Sequence, residues 1–297
     1  MKYIFLLAAL LYLNLSPAQV PAPRVLLINA HPEDEISCSA TIYKITHELK
    51  GVVDLAVITN GEGGYKYSTL SEAYYNLELT DEKVGRENLP RIRKEELMNA
   101  GKILGIRKFF FLEQMDKKFT LDERDPLDTS WDVGLVMVTL QRILMNEKYD
   151  YVFCLMPVPQ THGHHKAATM IALQTVGNLP EENKPIILGV SSSARNDSTP
   201  VVFRQLKDYK ETAIDQNVQR FITDRSVTFG YKNQLSYHLV VNWAIAEHRS
   251  QGTMQLEMNK NDFENFWYFE INGGKGVEKT QQLFEELKNV PYPVKVY

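Results

Sequence analysis

Residues 24–35 read RVLLINAHPEDE and join a short apolar run to a crowded group of polar side chains. The run at 25–28 is unbroken and aliphatic, which is typical of a strand buried on both faces of a parallel sheet. His31 and the acidic residues 33–35 follow directly. Ligands of open α/β sheets bind at the carboxyl ends of the strands, so this stretch predicts a functional site. A polar loop whose acidic residues cap the next helix is the alternative for this stretch alone.

A second polar cluster, THGHHK at 161–166, follows the apolar run YVFCLM at 151–156. It holds three of the seven histidines within four positions. Neutral imidazole is a preferred ligand of zinc, and a catalytic zinc usually takes three protein ligands and leaves one position open. His31 and Asp34, with one or two histidines of the second cluster, would complete such a site.

Several segments, in this order, resemble the LmbE-like (PIG-L) family of zinc-dependent N-deacetylases. The four that span residues 24–176 are AHPEDE, ITNGEGG, RKEELMNAGKILGI and HGHHKAA, and AEHRSQG at 246–252 resembles the HRSQ-type ending of the family. The resemblance implies a Zn²⁺ enzyme, or one using another divalent metal such as Fe²⁺, that acts on an N-acetylated amino sugar or glycoconjugate.

The resemblance also implies roles for individual residues. The first motif of the family is usually AHPDDE, so His31 and Asp34 correspond to metal ligands and Glu33 to the general base. The second motif is usually HPDH, so His165 corresponds to the third ligand and His162 to the residue that stabilises the transition state.

Arg93 falls where the family's RxxEL segment places a substrate-contacting arginine. A surface arginine paired with Glu95 or Glu96 is the alternative. Two positions depart from the family pattern, since Glu33 replaces an Asp and Gly163-His164 replaces Pro-Asp. The first lengthens the base by one methylene and moves its oxygen by about 1 Å, which bears on rate more than on metal binding.

Strands that alternate with helices predict an α/β fold, a Rossmann-like three-layer sandwich with a mostly parallel sheet. Predicted strands are 25–28, 52–59, 108–112, 151–155, 186–190 and 266–271. Predicted helices are 36–50, 89–105, 133–145, 211–221 and 235–249, and one more follows the histidine motif and runs to about residue 176. With strand order 3-2-1-4-5, strands 1 and 4 are neighbours at the switch point, and both polar clusters meet at their carboxyl ends. We expect a single domain over 24–297 with a C-terminal extension.

Other features of the sequence indicate the cellular compartment of the protein and the kinds of partner it binds. Residues 1–18, MKYIFLLAALLYLNLSPA, have the pattern of a signal peptide and predict an exported protein, periplasmic or secreted, with no stable membrane span after cleavage. A net charge of −4 on 297 residues gives no indication of a nucleic-acid partner. Cys38 and Cys154 are expected to be buried free thiols, with a disulfide between them in an oxidising compartment as the alternative. The oligomeric state is not predicted. The aromatic insertion at 65–89 is expected to be solvated surface, with a lid or a wall of a sugar site as the alternative.

The predicted reaction is hydrolysis of an acetamide by zinc-activated water, with Glu33 as general base and a protonated His162 at the oxyanion. A noncatalytic zinc- or carbohydrate-binding protein on the same fold is the main alternative, because Glu33 departs from the usual Asp. A nucleotidyltransferase is disfavoured, because the order His162-Gly163-His164 does not match an HxGH motif.

Overall fold

The structure is a computed structural model that describes residues 22–197 and 203–293. The predicted signal peptide lies outside these residues. The strands are β1 (Arg24–Asn29), β2 (Val52–Thr59), β3 (Lys108–Gln114), β4 (Tyr151–Leu155), β5 (Ile186–Ser193), β6 (Phe221–Asp224), β7 (Thr228–Phe229), β8 (Leu235–Ser236) and β9 (Phe263–Tyr268). The α-helices are α1 (Ser39–Tyr43), α2 (Glu72–Tyr75), α3 (Glu82–Leu104), α4 (Val133–Glu147), α5 (Gly163–Gly177), α6 (Tyr237–Glu247), α7 (Gly252–Gln255) and α8 (Val277–Asn289).

Seven of these strands form one sheet in the order β3-β2-β1-β4-β5-β9-β6. The first five are parallel, which confirms the predicted order 3-2-1-4-5. β1 lies between β2 and β4, with Val25 opposite Val53 on one side and Tyr151 on the other. The carboxyl ends of β1 and β4 are therefore adjacent, and the two polar loops leave the sheet side by side.

Helices cover both faces of the sheet and make it the middle layer of three. Val25 and Leu27 of β1 belong to the core that contains α1, α3, α6 and α8. Leu26 and Ile28 point the other way, into the core that contains α4 and α5. Successive side chains of a strand alternate between faces, so a strand buried on both faces is apolar at nearly every position. The predicted three-layer sandwich is confirmed.

The C-terminal part differs from the sequence-based prediction. The predicted helix at 211–221 is wrong, because only one 3₁₀ turn forms there, at Lys210–Thr212, and Phe221 begins the edge strand β6. Ile214 forms an antiparallel bridge with Phe269, so sheet pairing replaces helix formation in this stretch. The predicted strand at 266–271 is shifted, since β9 begins three residues earlier.

The shift of β9 has a packing reason. Its second residue, Glu264, is fully buried, yet its carboxylate accepts hydrogen bonds from Arg225 Nε at 2.8 Å and from the backbone N–H groups of Ala40 and Thr41, each at 2.8 Å. A polar residue with that many partners can lie inside a sheet. Within the described residues, no helix is long and apolar enough to span a bilayer. Cys38 and Cys154 are buried and free, as expected.

Candidate active site

The two polar loops meet at the carboxyl ends of β1 and β4. His31 and Asp34 lie in the loop after β1, and His162 is the N-terminal cap of α5, whose first turn carries His164 and His165. The structure thus brings together residues separated by more than 120 positions in sequence, as the strand order predicts.

Three of the predicted residues converge on one point. His31 Nδ1 lies 3.1 Å from His165 Nε2, and Asp34 Oδ1 lies 3.2 Å from the same His165 atom. The three ligand atoms all lie within 4.8 Å of one another. Two ligands bound at about 2.0–2.1 Å to a tetrahedral metal are about 3.3 Å apart, so the two distances from His165 fit one zinc-sized ion.

Hydrogen bonds from neighbouring residues orient Asp34 and His165. Asp34 Oδ2 accepts from the N–H groups of Ala30 at 2.9 Å and His31 at 2.8 Å, which leaves Oδ1 for the centre. Thr161 Oγ1 lies 3.0 Å from His165 Nδ1. When that oxygen accepts the Nδ1 proton, Nε2 presents its lone pair beside Asp34. Metal-binding histidines are usually held this way through the second ring nitrogen.

The local electrostatics favour a cation at this point. Burial would lower the pKa of His31, but Asp34, with Asp116 and Glu33 nearby, raises that pKa to about 9. Burial would likewise raise the pKa of Asp34, but His165 and His31 hold it well below its usual range. A site that retains a proton against burial has an excess of negative potential, which a divalent cation would satisfy.

The other ring nitrogen of His31 faces a second group. His31 Nε2 lies 3.1 Å from His164 Nδ1, which in turn lies 3.4 Å from Asp116 Oδ1. His31, His162 and His164 also have ligand atoms close enough for a metal, so the chain contains a second candidate set that shares His31. His164 is the residue that replaces Asp in the family pattern.

The departure at Gly163 has a structural reason. Its N–H donates to Thr120 O at 2.7 Å, a bond that proline cannot make. A Cβ at this position would lie 2.4 Å from Asp122 O, too close for any other residue without a backbone shift. The 120–122 segment therefore packs against the start of α5 in a way that requires glycine.

Arg93 is buried and binds Glu33. One guanidinium nitrogen, Nη2, donates to Glu33 Oε2, and Nη1 donates to Gly61 O. The alternative of a surface arginine paired with Glu95 or Glu96 is excluded, since Arg93 is 1% exposed. Gly61 has φ +72°, and a Cβ there would collide with the guanidinium of Arg93. The glycine-rich loop after β2 thus lets its backbone approach this ion pair.

His162 differs from the expected protonated form. Its Nδ1 accepts a hydrogen bond from the N–H of His164 at 2.9 Å, so this nitrogen carries a lone pair and the proton lies on Nε2. Burial, reinforced by His31 and His165, lowers the pKa of His162 to about 3. A neutral imidazole with a free Nε2–H can still donate to a developing oxyanion.

The segment after α6 contacts residues next to the centre, and sequence reasoning identified it only as a match to the HRSQ-type ending of the family. His248 Nε2 lies 2.5 Å from Glu35 Oε1, and both side chains are fully buried. Ser250 binds Glu96 through its N–H at 2.8 Å and its hydroxyl at 2.6 Å. The side-chain oxygen of Gln251 accepts from Arg93. The HRSQ letters were the signal that could have located these contacts.

Two cavities meet at the candidate centre, and both have Glu33 and His165 in their walls. The larger, of about 690 Å³, extends past Met156 and Met254. The smaller, of about 390 Å³, contains Arg93, Asp116, Phe119, His162 and Tyr67 among its lining residues. Tyr67 belongs to the 65–89 insertion, which therefore contributes a wall to the site.

A family model described as PIG-L, GlcNAc-PI de-N-acetylase, matches residues 26–176, half of the chain. Two curated relatives are both named probable N-acetyl-alpha-D-glucosaminyl L-malate deacetylase 2. The Bacillus cereus protein is 24% identical over 196 residues, which cover 64% of this chain and 80% of that protein. The Bacillus anthracis protein is 24% identical over 205 residues, covering 67% and 82%.

Solved structures share the fold at low sequence identity. N,N'-diacetylchitobiose deacetylase from Pyrococcus horikoshii has a TM-score of 0.50 at 18% identity, covering 83% of each chain. The zinc-inhibited form of teicoplanin deacetylase Orf2 has a TM-score of 0.52 at 12% identity, covering 82% of this chain and 97% of that one. GalB, the 4-carboxy-2-hydroxymuconate hydratase from Pseudomonas putida, has a TM-score of 0.51 at 13% identity, covering 82% and 95%. Because a hydratase is among them, the fold alone does not define the reaction.

Proposed function

We propose, on the premise that this chain belongs to the PIG-L family of GlcNAc-PI de-N-acetylases, that it is a metal-dependent hydrolase which removes the N-acetyl group of an amino-sugar conjugate. The names of the Bacillus relatives support this class of substrate. The observation that carries the proposal is the convergence of His31, Asp34 and His165, with Glu33 adjacent, between two cavities large enough for a sugar.

The metal would be held by His31 Nδ1, Asp34 Oδ1 and His165 Nε2. These are two imidazoles and a carboxylate, a donor set typical of catalytic zinc, and Fe²⁺ is the other candidate. A divalent cation bound there lowers the pKa of a coordinated water and polarises an amide carbonyl. The family is typically zinc-dependent, which supports Zn²⁺ as the first metal to test.

Glu33 is the proposed general base. Its carboxylate borders both cavities, and its neighbour in sequence, Asp34, faces the metal position. In the proposed reaction Glu33 accepts a proton from the attacking water and returns it to the leaving amine. Arg93 donates to one carboxylate oxygen of Glu33 and so positions the base. A contact of Arg93 with the substrate stays a prediction.

His162 is proposed to donate its Nε2–H to the carbonyl oxygen as negative charge develops there. The N–H of His164 occupies the other ring nitrogen, which fixes the tautomer that this step needs. A preformed donor of this kind typically contributes about 10²–10³ to the rate.

Acetate release tests the proposed function. Purified protein loaded with Zn²⁺ or Fe²⁺ is incubated with methyl N-acetyl-glucosaminide and N,N'-diacetylchitobiose, and free acetate and amine are measured. Equal amounts of acetate and amine, dependent on added metal, are expected. Tight binding of metal and sugar without acetate would contradict the proposal and favour a carbohydrate-binding protein.

Export is a separate proposal, supported by Lys2 and the apolar residues that follow it. Cleavage after Ala18 should give a mature protein that begins at Gln19. Mass spectrometry of the protein from fractionated cells checks this. Intact protein that retains Met1 in the cytoplasm would contradict it.

A further inference from the structure

Phe119 is mostly exposed, yet its ring lies against His162 of the candidate active site. Phe119 is 66% exposed, so burial of apolar surface contributes little to keeping it in place. Its ring meets the His162 ring edge-on, with centroids 4.9 Å apart and planes at 90°. Both residues border the smaller cavity. Core packing therefore does not explain where this ring lies.

The segment that carries Phe119, residues 116–124, is held near both ends. Its first two backbone carbonyls accept from the guanidinium of Arg86, on α3, at 3.1 and 2.7 Å. Near its other end, Nζ of Lys166 lies 2.9 Å from Glu123 Oε2. Lys166 is 4% exposed, and a buried cation paired in this way is costly to separate from its partner. The segment is thus fastened to α3 and to α5.

The same segment fits closely against the residue after His162. Gly163 N–H donates to Thr120 O at 2.7 Å. A Cβ on Gly163 would lie 2.4 Å from Asp122 O, so the close approach requires glycine. Thr120 directly follows Phe119, and this contact therefore places the Phe119 ring beside His162.

His162 needs support from outside its own backbone. Its φ of −52° and ψ of 139° are values that a following proline would impose, whereas Gly163 imposes no such restriction. Among the described residues, its ring makes one hydrogen bond, from the N–H of His164 to Nδ1. Rotation of an imidazole about its Cβ–Cγ bond is only loosely restricted. One bond at Nδ1 therefore does not fix the direction of Nε2.

Other rings also surround His162. Those of His164, His31 and His165 lie 4.5, 5.0 and 5.5 Å away, and all three belong to the two histidine motifs. Within the described part of the chain, Phe119 supplies the one ring contact of His162 from outside these motifs.

We infer that Phe119 is a positioning residue, which holds the His162 ring in the orientation in which Nε2–H reaches the substrate carbonyl. The inference rests on the proposed function, since it concerns the step assigned to His162. Phe119 acts through His162 and not through the metal. Its removal should therefore lower kcat and kcat/KM equally, which is the result of losing an interaction made only in the transition state.

Steady-state kinetics with methyl N-acetyl-glucosaminide test this role. Phe119→Ala should lower kcat by about tenfold, less than the 10²–10³ expected for loss of the whole donor, with KM unchanged. Phe119→Tyr keeps the ring and should keep kcat within about twofold of the parent. Zinc affinity, measured by competition with a chelator, should be the same in all three proteins. A higher KM with kcat unchanged would make Phe119 only a wall of the cavity and overturn the inference.

Leu121→Ala is the matched control. Leu121 lies in the same segment, is 51% exposed and borders neither cavity, so this variant should keep the kcat and KM of the parent. If Leu121→Ala lowers kcat as much as Phe119→Ala does, the integrity of the segment matters and the Phe119 ring does not. That result would overturn the inference.

Nuclear magnetic resonance of the histidine rings separates this inference from the proposed function. In the zinc-loaded protein, the ring signals of His162, assigned by comparison with His162→Gln, should form one sharp set in the parent and in Phe119→Tyr. They should be broadened or doubled in Phe119→Ala. If the parent releases no acetate, the proposed function fails, and these spectra still report whether Phe119 orders the ring. One sharp set in Phe119→Ala overturns the inference.

Discussion

The two sides of the loop at residues 31–35 differ in how their acidic side chains are neutralised. On the metal-facing side, His31 Nδ1 and Asp34 Oδ1 lie 3.1 Å and 3.2 Å from His165 Nε2, and the pKa of His31 rises to about 9. On the opposite side, Glu35 is matched by His248 within 2.5 Å. The excess of negative charge is therefore confined to the metal-facing side of the loop. It indicates where a cation would bind.

Removing a metal-facing group should have the largest effect. His165→Ala and Asp34→Ala should weaken metal affinity by more than about 100-fold and reduce acetate release to background, because changes even to outer partners of a ligand cost about 10–100-fold. Metal content after dialysis, measured by mass spectrometry, checks this.

His164→Ala is the control for the metal-facing side, since His164 is adjacent to His165 in sequence but contacts His31 Nε2 through its own Nδ1. It should keep stoichiometric metal under saturating conditions, with affinity lowered by about 10–100-fold at most. Metal retained in His165→Ala and lost in His164→Ala would exchange the roles of the two histidines.

Replacing the base should separate rate from binding. Glu33→Gln keeps the size of the side chain and removes the proton acceptor, so turnover should fall by about 10²–10⁴ while metal remains bound. Acetate release and metal content, measured on the same sample, check this. Thermal unfolding of the same sample shows whether the protein stays folded when Arg93 loses its carboxylate partner. Turnover at the parent level would assign the base to another residue.

Removing the buried partner of Glu35, on the opposite side of the loop, should lower the stability of the fold. His248→Ala leaves Glu35 buried without its partner and should lower the free energy of unfolding by about 3–5 kcal/mol. His238→Ala is the matched control, since His238 pairs with Asp262 at 3.2 Å nearer the surface and should cost about 0–1 kcal/mol. Urea denaturation of both variants measures the difference. Equal losses would mean that burial of the Glu35 pair does not matter.

The smallest effect is expected for the departure from the family pattern. Glu33→Asp retracts the carboxylate by one methylene and leaves a base present, so kcat should change by less than about tenfold, well below the loss in Glu33→Gln. Steady-state rates at saturating metal check this. A loss as large as that of Glu33→Gln would show that the pocket depends on the longer side chain.

Sequence reasoning was strongest where physical signals are local. The limits of β2 and β4 are confirmed to the residue, because these runs lie between Gly51 and Asn60 and between Asp150 and Pro157, which interrupt a strand. It was weakest for β6 and β9, whose placement depends on partners far away in sequence. The pairing of Glu264 with Arg225 and Ala40 shows why, since a buried acid in a strand is satisfied only by the tertiary structure.

The same distinction applies within the site. The residues that converge were named from two short motifs, since a parallel sheet brings strand ends together regardless of sequence separation. The contact of His248 with Glu35 spans 213 positions, and only the resemblance of AEHRSQG to the family's ending pointed to it. The neutral form of His162 also depends on geometry, namely the N–H of His164 that points at its Nδ1.

The location of the metal tests the central claim most directly. A crystal structure of the zinc-loaded protein, with anomalous diffraction measured on both sides of the zinc absorption edge, gives that position independently of any activity. We predict a single strong peak about 2.0–2.2 Å from His31 Nδ1, Asp34 Oδ1 and His165 Nε2. A peak bound instead by His31 Nε2, His162 and His164, with none at the first position, would contradict the assignment.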